Sequence, residues 1–348
     1  MITRYELKKR VKRLHSSMEK KGINSFLISN PRNVEYLTGR DTGRILLTKD
    51  KDFLWVKELY LDIYSDLYSS SGYPFDVEVY EKNSIKRKIK RSRIRKLAVE
   101  NLNFLDYDKL KKELGINLVV TDLVEKQRAI KSRYEIESLR RSAHIAMKGM
   151  KKAFEVVREG VREMDALSEI EYEIRKRGSE SPPFESGMLL ASGKNSANIH
   201  ARASWMRIKK GSLVVVDLGA RYNGYFSDMT RTIEVGKINA EKRKIMEYVR
   251  EIQDETIDRI EVGVKAGDIH NFVEREMEKR GYRFYHSTGH GIGLKVHELP
   301  NIGPESGDIL KDGMVFTIEP GIYIPEKFGV RFEDMILLKR NRVEILTR

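Results

Sequence analysis

The spacing of hydrophobic positions along the chain first predicts a small mixed fold. The opening stretch RYELKKRVKRLHSSMEKKG has the apolar period of an amphipathic helix, and Gly22 stands where a helix usually ends. Short apolar runs then predict six strands, with a helical stretch, LYLDIYSDLYSSSG, between the third and the fourth: SFLIS, RILLT, DFLWV, DVEVY, KLAVE and INLVVT. We therefore expect an α/β domain over residues 1–125.

A longer helical pattern then opens a second region. The run VEKQRAIKSRYEIESLRRSAHIAMKGMKKAFEVV keeps a helical period throughout, and further helices are predicted near 163–178, 240–262 and 267–280. Apolar runs typical of strands lie between and after these helices. The pattern predicts an α/β (α+β) protein whose second domain covers residues 126–348.

Length and composition narrow the class of protein. The chain has 348 residues, of which 40% are hydrophobic, and this is enough for two packed domains. No apolar run approaches the ~20 residues of a membrane span. The charged N-terminus lacks the apolar core of a signal peptide, so we expect a cytoplasmic protein without a membrane partner. Charged residues make up 34% of the chain and glutamine occurs only twice, which favours a thermophilic source.

The absence of cysteine restricts the chemistry of any active site. Disulfides, zinc–thiolate sites and cysteine nucleophiles are all excluded, because the chain has no cysteine. A metal ion would therefore have to be bound by nitrogen and oxygen atoms.

A basic run raises the question of a nucleic-acid partner. The net charge is +14, and residues 82–96, KNSIKRKIKRSRIRK, contain nine basic residues and no acid. Such a run can bind phosphate groups. No aromatic residue is interleaved to stack on bases, and Ile85, Ile89 and Ile94 give the run an apolar side. We favour a solvated helix face and do not expect nucleic acid as a partner.

Two hairpins place acidic residues where they should meet. A four-residue loop over 221–224, which contains the turn sequence Asn-Gly, would place Asp217 directly opposite Asp228. Pairing about the turn-like PEKFG would likewise bring Glu319 face to face with Glu333. Opposed like charges destabilise a sheet, and burying them costs several kcal/mol more unless a cation neutralises them. The hairpins therefore predict a cation site.

A histidine completes this set of ligands. His290 lies in HSTGHGIGLKVHELP, surrounded by glycines that weaken regular structure. Four carboxylates and one imidazole form a set of nitrogen and oxygen ligands that suits hard or borderline divalent ions. Two ions that share bridging carboxylates could hold a hydroxide between them.

These segments resemble a known family. VVVDLGARYNGYFSDMTRT, STGHGIGLKVHELP, FTIEPGIY and GVRFEDMIL closely resemble the pita-bread metallopeptidases, which include Xaa-Pro dipeptidase (prolidase), aminopeptidase P and methionine aminopeptidase. The resemblance covers roughly residues 130–348. LISNPRNVEYLTG resembles the creatinase-type N-terminal domain of the proline-directed branch. This domain and the sequence GVRFEDM argue against a methionine aminopeptidase.

The resemblance implies a role for each motif residue. It implies two divalent metal ions, with Mn²⁺ or Co²⁺ favoured and Zn²⁺ or Fe²⁺ tolerated, bound by Asp217, Asp228, His290, Glu319 and Glu333. His200 in ASGKNSANIH matches the family's substrate-side histidine, and His286 and His297 are expected to face the reacting amide. Tyr323 and Arg331 match positions behind the ligands. Arg331 either anchors the substrate or supports the metal ligands.

The implied reaction is hydrolysis of the peptide bond before proline. Glu319 is the candidate proton shuttle, and His297, with His286, would stabilise the developing negative charge. The glycines around His290 would let the backbone approach metal and substrate. We expect an Xaa-Pro dipeptidase that acts on small peptides and forms a homodimer. The alternatives are an aminopeptidase P that cleaves longer Xaa-Pro peptides and an inactive scaffold that binds partners through residues 82–96.

Overall fold

The chain folds into two compact units. A computed structural model describes residues 2–62, 64, 72–180, 187–340 and 342–348. The units are Met1–Arg128 and Ala129–Arg348, so the observed division lies three residues after the predicted one. No helix within the described ranges is both long and apolar enough to cross a membrane.

The N-terminal unit is built on a mixed six-stranded sheet in the order β4-β3-β2-β1-β5-β6. All six predicted strands are present: β1 Ser25–Ile28, β2 Arg44–Thr48, β3 Phe53–Val56, β4 Asp76–Val79, β5 Lys96–Val99 and β6 Asn117–Val120. Five α-helices are described: α1 Arg4–Lys20, α2 Pro31–Thr38, α3 Ser84–Arg91, α4 Phe104–Leu114 and α5 Leu123–Ala129. Most of the predicted helix LYLDIYSDLYSSSG lies outside the described residues.

The basic run forms the amphipathic helix α3 and the turn that follows it. Ile85 and Ile89 are buried in the core of the unit, and Ile94 packs against the same cluster. Lys88 lies over the ring of Phe53, with its ammonium group 3.7 Å from the ring centroid. Most of the other basic side chains of the run are exposed, so the charge of the run is largely solvated.

The described part of the C-terminal unit combines four α-helices and a short 3₁₀ helix, Gly193–Ala197, with antiparallel sheets. The helices are α6 Arg133–Val156, α7 Glu163–Lys176, α8 Ala240–Ile257 and α9 Ala266–Lys279. A three-stranded sheet has the order β11-β8-β7 and a five-stranded sheet the order β13-β12-β14-β17-β18, while β9–β10 and β15–β16 form two-stranded ribbons. The strands are β7 Leu189–Ser192, β8 Ser212–Leu218, β9 Arg221–Tyr222, β10 Tyr225–Phe226, β11 Met229–Val235, β12 Gly289–Gly291, β13 Glu298–Ile302, β14 Val315–Ile318, β15 Gly321–Ile324, β16 Phe328–Arg331, β17 Asp334–Lys339 and β18 Arg342–Ile345.

The single long helical pattern after residue 123 is broken in the structure. Helix α5 ends at Ala129, and helix α6 begins at Arg133 behind the N-cap Ser132. The Ser132 side chain accepts the backbone N–H of Glu135, and the Glu135 side chain accepts that of Ser132. This capping box starts a new helix because it satisfies two backbone donors that the first turn leaves unpaired.

The first hairpin has a different register from the predicted one. Asn223 and Gly224 both have positive φ values, 50° and 82°, as a two-residue turn of type I′ requires. The turn therefore has two residues instead of four, and Asp217 pairs with Thr230 instead of Asp228. The shift is two positions, so Asp228 stays on the same face, because side chains alternate with a period of two.

The second hairpin has the predicted register. Ile318 pairs with Asp334, and Gly321 pairs with Arg331, so the intervening Glu319 and Glu333 stand opposite each other. The turn between β15 and β16 lies within PEKFG, as expected.

The glycines around His290 fit close to neighbouring strands, a packing role that no sequence pattern predicted; their expected approach to metal and substrate stays a prediction. A β-carbon on Gly289 would overlap the carbonyl oxygen of Thr317, and one on Gly291 would overlap that of Leu299. A β-carbon on Gly293 would overlap the carboxylate of Glu298. Glycine is therefore needed for packing between strands.

We predict that Gly289→Ala destabilises the protein by at least ~2 kcal/mol, because a backbone carbonyl blocks the new methyl group and the sheet must shift. Gly307→Ala is the matched control, since nothing lies within 4 Å of a β-carbon at that position. Urea unfolding of both variants measures the difference. Equal midpoints for the two variants would contradict the packing argument.

Candidate metal centre

The five predicted ligands lie on elements of the C-terminal unit that meet at one place. Asp217 is on β8. Asp228 directly precedes β11, which is the neighbour of β8 in the same sheet. The other three belong to the second sheet and its connections: His290 on β12, Glu319 after β14 and Glu333 before β17. A bridge between Thr230 and Glu333 joins the two sheets.

The side chains of these residues converge. One ligand atom each from Asp228, His290 and Glu333 lies within 4.8 Å of the others. The Nε2 atom of His290 is 3.7 Å from Oδ2 of Asp228 and 3.6 Å from Oε1 of Glu319. Asp217 belongs to the same group of charges, because burial, then Glu333 and then Asp217 raise the pKa of Asp228. The structure thus brings all five predicted ligands together.

Several carboxylate oxygens in this cluster have no partner within the described chain. Asp217 Oδ2 accepts a hydrogen bond from Arg331 (2.6 Å), and Glu333 Oε2 accepts one from Thr230 (2.8 Å). Their second oxygens, and Oδ1 of Asp228, are buried without a hydrogen-bond partner among the described residues. Buried polar atoms without partners are costly. The chain therefore orients the acids and leaves oxygen atoms for a cation.

The electrostatics of the cluster support the same conclusion. Burial, followed by the charge of Glu333, raises the pKa of Asp228 well above its ordinary value. Burial raises the pKa of Glu319 to about 8, although Arg331 opposes the shift. The pKa of Glu333 is also raised, first by burial and then by Glu319 and Asp217. A divalent cation would remove this repulsion.

His290 presents the right nitrogen for a metal. Its Nδ1 is 3.2 Å from the carbonyl oxygen of Gly291, to which it donates, so Nε2 carries the lone pair and faces the acids. Burial lowers the pKa of His290 to about 3, which keeps the ring neutral. A neutral imidazole oriented by a backbone carbonyl is the usual form of a histidine ligand. The donor set fits divalent metal ions.

Arg331 connects the ligands to the residues around them. Its guanidinium group makes four hydrogen bonds within the described chain, to Asp217 Oδ2 (2.6 Å), Tyr323 Oη (2.9 Å), Thr230 Oγ1 (3.2 Å) and the Ile199 carbonyl (3.3 Å). These contacts use most of its five N–H groups. Of the two roles that the sequence left open for Arg331, the contacts favour support of the ligands over an anchor for substrate.

The remaining predicted histidines differ in their surroundings. Both ring nitrogens of His286 have partners, since Nδ1 is 2.8 Å from the Ser287 carbonyl and Nε2 is 3.0 Å from Tyr323 Oη. The ring of His297 lies 4.1 Å from that of His290, between centroids. His200 and His297 are exposed, whereas His286 is largely enclosed, and burial is the main cause that lowers the pKa of His286 and of His297. His297 and His200 are thus better placed than His286 to meet a substrate.

Sequence reasoning missed two residues, one that contacts the acid cluster and one that binds the segment that carries His200. Thr230 donates to Glu333 and accepts from Arg331. Glu163 is fully buried and binds the segment that carries His200. Thr230 left a weak signal, because it lies two positions after Asp228 and so shares its face. Glu163 left none, because its partners are 29 or more positions away in sequence.

Comparisons with known proteins agree with this geometry. Residues 137–340 match metallopeptidase family M24, and residues 10–130 match the creatinase/prolidase N-terminal domain. The Xaa-Pro dipeptidase of Pyrococcus furiosus is 38% identical over 98% of both chains. Among solved structures, an Xaa-Pro dipeptidase from Bacillus anthracis aligns with a TM-score of 0.91 at 32% identity, and the prolidase from Pyrococcus horikoshii OT3 with 0.89 at 36% identity, each over 98% of both chains.

The raised pKa values predict that metal binding releases protons. Glu319 has a pKa of about 8 without metal, against an ordinary value of 4.5, so it is mostly protonated at pH 7. Folding of the metal-free protein is therefore favoured by this group below pH 4.5, and the benefit is lost as pH rises through about 8. A metal ion binds the ionised form, so we expect release of about one proton or more per chain at pH 7.

Calorimetric titration of Mn²⁺ into metal-free protein, in two buffers of different ionisation enthalpy, measures this release. The Glu319→Gln variant is the control and should release fewer protons. Identical heats in the two buffers for the wild-type protein would show that the cluster is ionised before the metal binds.

Proposed function

Because the chain belongs to metallopeptidase family M24, we propose that it hydrolyses the peptide bond of Xaa-Pro dipeptides. The observation that carries this proposal is the buried cluster of four acids and His290, in which three oxygens lack a partner among the described residues. Relatives named Xaa-Pro dipeptidase match nearly the whole chain at 37–38% identity. Their match includes the N-terminal unit, and this supports the proline-directed branch.

We assign two divalent metal ions to the cluster, with Mn²⁺ or Co²⁺ as the first choices and Zn²⁺ or Fe²⁺ as alternatives. The residues that would hold them are Asp217, Asp228, His290, Glu319 and Glu333. Bound ions of this kind supply Lewis acidity, which lowers the pKa of water and polarises the carbonyl group of a peptide bond.

Glu319 is the residue to which we assign proton transfer. Its carboxyl group is buried in the cluster, and burial raises its pKa to about 8 in the absence of metal. A carboxylate that a metal ion holds loosely, beside the reacting atoms, can take up a proton and return it. In the proposed reaction Glu319 takes the proton of the attacking water and gives it to the proline nitrogen that leaves.

The histidines divide into two that act on the substrate and one that orients. His297 lies beside His290 and is exposed, and His200 is likewise accessible on its loop. We assign to them the hydrogen bonds that stabilise the negative charge on the carbonyl oxygen in the transition state. His286 holds the Tyr323 hydroxyl group, which in turn contacts Arg331, so its effect is on orientation.

The choice of proline follows from its chemistry. Proline has a fixed φ and no amide hydrogen, so a site shaped for its ring can exclude other residues. An aminopeptidase P would share this preference and would also accept a longer chain after proline. The homodimer and the cytoplasmic location expected from the sequence remain predictions alongside the choice of metal.

We predict that Asp228→Asn lowers kcat/KM by at least ~10²-fold and weakens metal retention, because one of the proposed metal-binding carboxylates loses its charge. The metal-free variant should be at least as stable as the metal-free wild type, since one repulsive charge is gone. Asp258→Asn, at an exposed position, is the control. Elemental analysis, thermal melting and the activity assay measure the three effects. Full activity of Asp228→Asn after metal loading would remove Asp228 from the centre.

We predict that the metal-loaded protein cleaves Met-Pro at least ~10-fold more efficiently than Met-Pro-Ala. The reason is that a longer substrate moves its terminal carboxylate by a full residue, so a cation placed to bind the carboxylate of a dipeptide would lose that close contact. Comparing kcat/KM for the two peptides after loading with Mn²⁺ or Co²⁺ tests the proposed function. Equal values, or a preference for the tripeptide, indicate an aminopeptidase P, and no hydrolysis of either indicates an inactive scaffold.

A further inference from the structure

The segment that carries His200 begins with a short 3₁₀ helix, Gly193–Ala197, continues as a loop and is held from several sides. We call Ser192–Ser204 the His200 loop. Near its middle, Gly329 donates its backbone N–H to Ser196 Oγ (2.9 Å), and Arg331 donates to the carbonyl of Ile199 (3.3 Å). The loop therefore depends on side chains from other elements to keep its shape.

The two ends of the His200 loop are joined by one carboxylate. Glu163 is the first residue of helix α7 and is fully buried. Its Oε1 accepts the backbone N–H and the hydroxyl of Ser192, at 2.7 and 2.6 Å. Its Oε2 accepts the backbone N–H and the hydroxyl of Ser204, at 2.9 and 2.6 Å, and the side-chain amide of Asn195 at 3.3 Å.

These contacts make the loop conformation and the carboxylate interdependent. A buried carboxylate needs hydrogen-bond donors, and all five of those described here come from the His200 loop. Charge-assisted hydrogen bonds are short and strong, so each end of the loop is fixed at a definite point. Among the described residues, none of these five hydrogen bonds involves a predicted metal ligand. The hydrogen bonds of Glu163 therefore serve the His200 loop and not the metal ligands.

The position of His200 in the loop connects these hydrogen bonds to the proposed reaction. His200 lies in the second half of the loop, and Ile199 next to it is held by Arg331, which also holds Asp217. A small displacement of a catalytic group can cost ~10²-fold in rate. Hydrogen bonds from Glu163 to both ends of the loop would prevent such a displacement of His200.

We propose that Glu163 is a positioning residue, whose carboxylate fixes both ends of the His200 loop and so holds His200 at the site of Xaa-Pro hydrolysis. The proposal rests on the proposed function and extends it. Glu163 acts through His200 and does not touch the substrate itself.

The test is a double-mutant cycle in the metal-loaded protein with Met-Pro as substrate. Glu163→Gln keeps the size of the side chain but replaces one accepting oxygen with an NH₂ group. We expect it to lower kcat/KM by ~10- to ~10²-fold in the wild-type background and by less than ~2-fold in the His200→Ala background. Glu169→Gln, on the exposed side of the same helix, is the matched control and should have no effect.

A fluorescence measurement reports on the loop directly. The chain has two tryptophans, and Trp205 directly follows the loop, whereas Trp55 is buried in the N-terminal unit. In a Trp55→Phe background, we expect Glu163→Gln to increase the local motion of Trp205 in time-resolved anisotropy, while Glu169→Gln leaves it unchanged. If Glu163→Gln does not fold, the same cycle is run with Ser204→Ala, which removes one of the five donors, and a smaller loss with the same dependence on His200 is expected.

The outcomes separate this proposal from the proposed function. If the wild-type protein does not cleave Met-Pro, the function fails whatever Glu163 does. If it does cleave Met-Pro, the positioning role is overturned by any of three results: unchanged activity of Glu163→Gln, an equal loss in both backgrounds, or no effect of His200→Ala alone. Unchanged activity of Glu163→Gln together with increased motion of Trp205 would show that the order of the His200 loop does not matter for the reaction.

Discussion

The fold of the C-terminal unit depends on how it buries four carboxylates in one place. Without a cation, Asp217, Asp228, Glu319 and Glu333 repel one another, and the raised pKa values of the last three members record this cost. The chain reduces the cost only in part, through Arg331 and Thr230, which each bind one oxygen of an acid. The strand pairing of the two sheets, the close packing at Gly289 and Gly291, and the orientation of His290 keep the four acids close together although they lack enough hydrogen-bond donors.

Arg331 joins the metal ligands to the residues expected to meet the substrate. One guanidinium group contacts a ligand, the hydroxyl group of Tyr323 and the His200 loop. Because most of its N–H groups are occupied, the position of the guanidinium group is set by several partners at once. The carboxylate of a dipeptide must then be met by another group.

The sequence predicted the fold and the five converging residues because the signals were local. Buried strands, turn residues and the spacing of Glu319 and Glu333 all lie within single hairpins. The register of the first hairpin was wrong by two positions, because an Asn-Gly pair supports a two-residue turn more readily than the longer loop assumed. The capping box at Ser132 was overlooked within a continuous helical period. Glu163 and the strand contacts of Gly289 involve partners distant in sequence, and a single sequence carries no signal for them.

The two-residue turn at Asn223 and Gly224 also bears on how this hairpin can change during evolution. Side chains alternate along each strand, so lengthening the turn by two residues keeps both aspartates on the inner face, as the mistaken register itself illustrates. Adding a single residue without a compensating bulge would turn one aspartate toward the opposite face. Length differences among relatives at this hairpin should therefore come in even steps, and an odd step should be accompanied by a bulge or by loss of the centre.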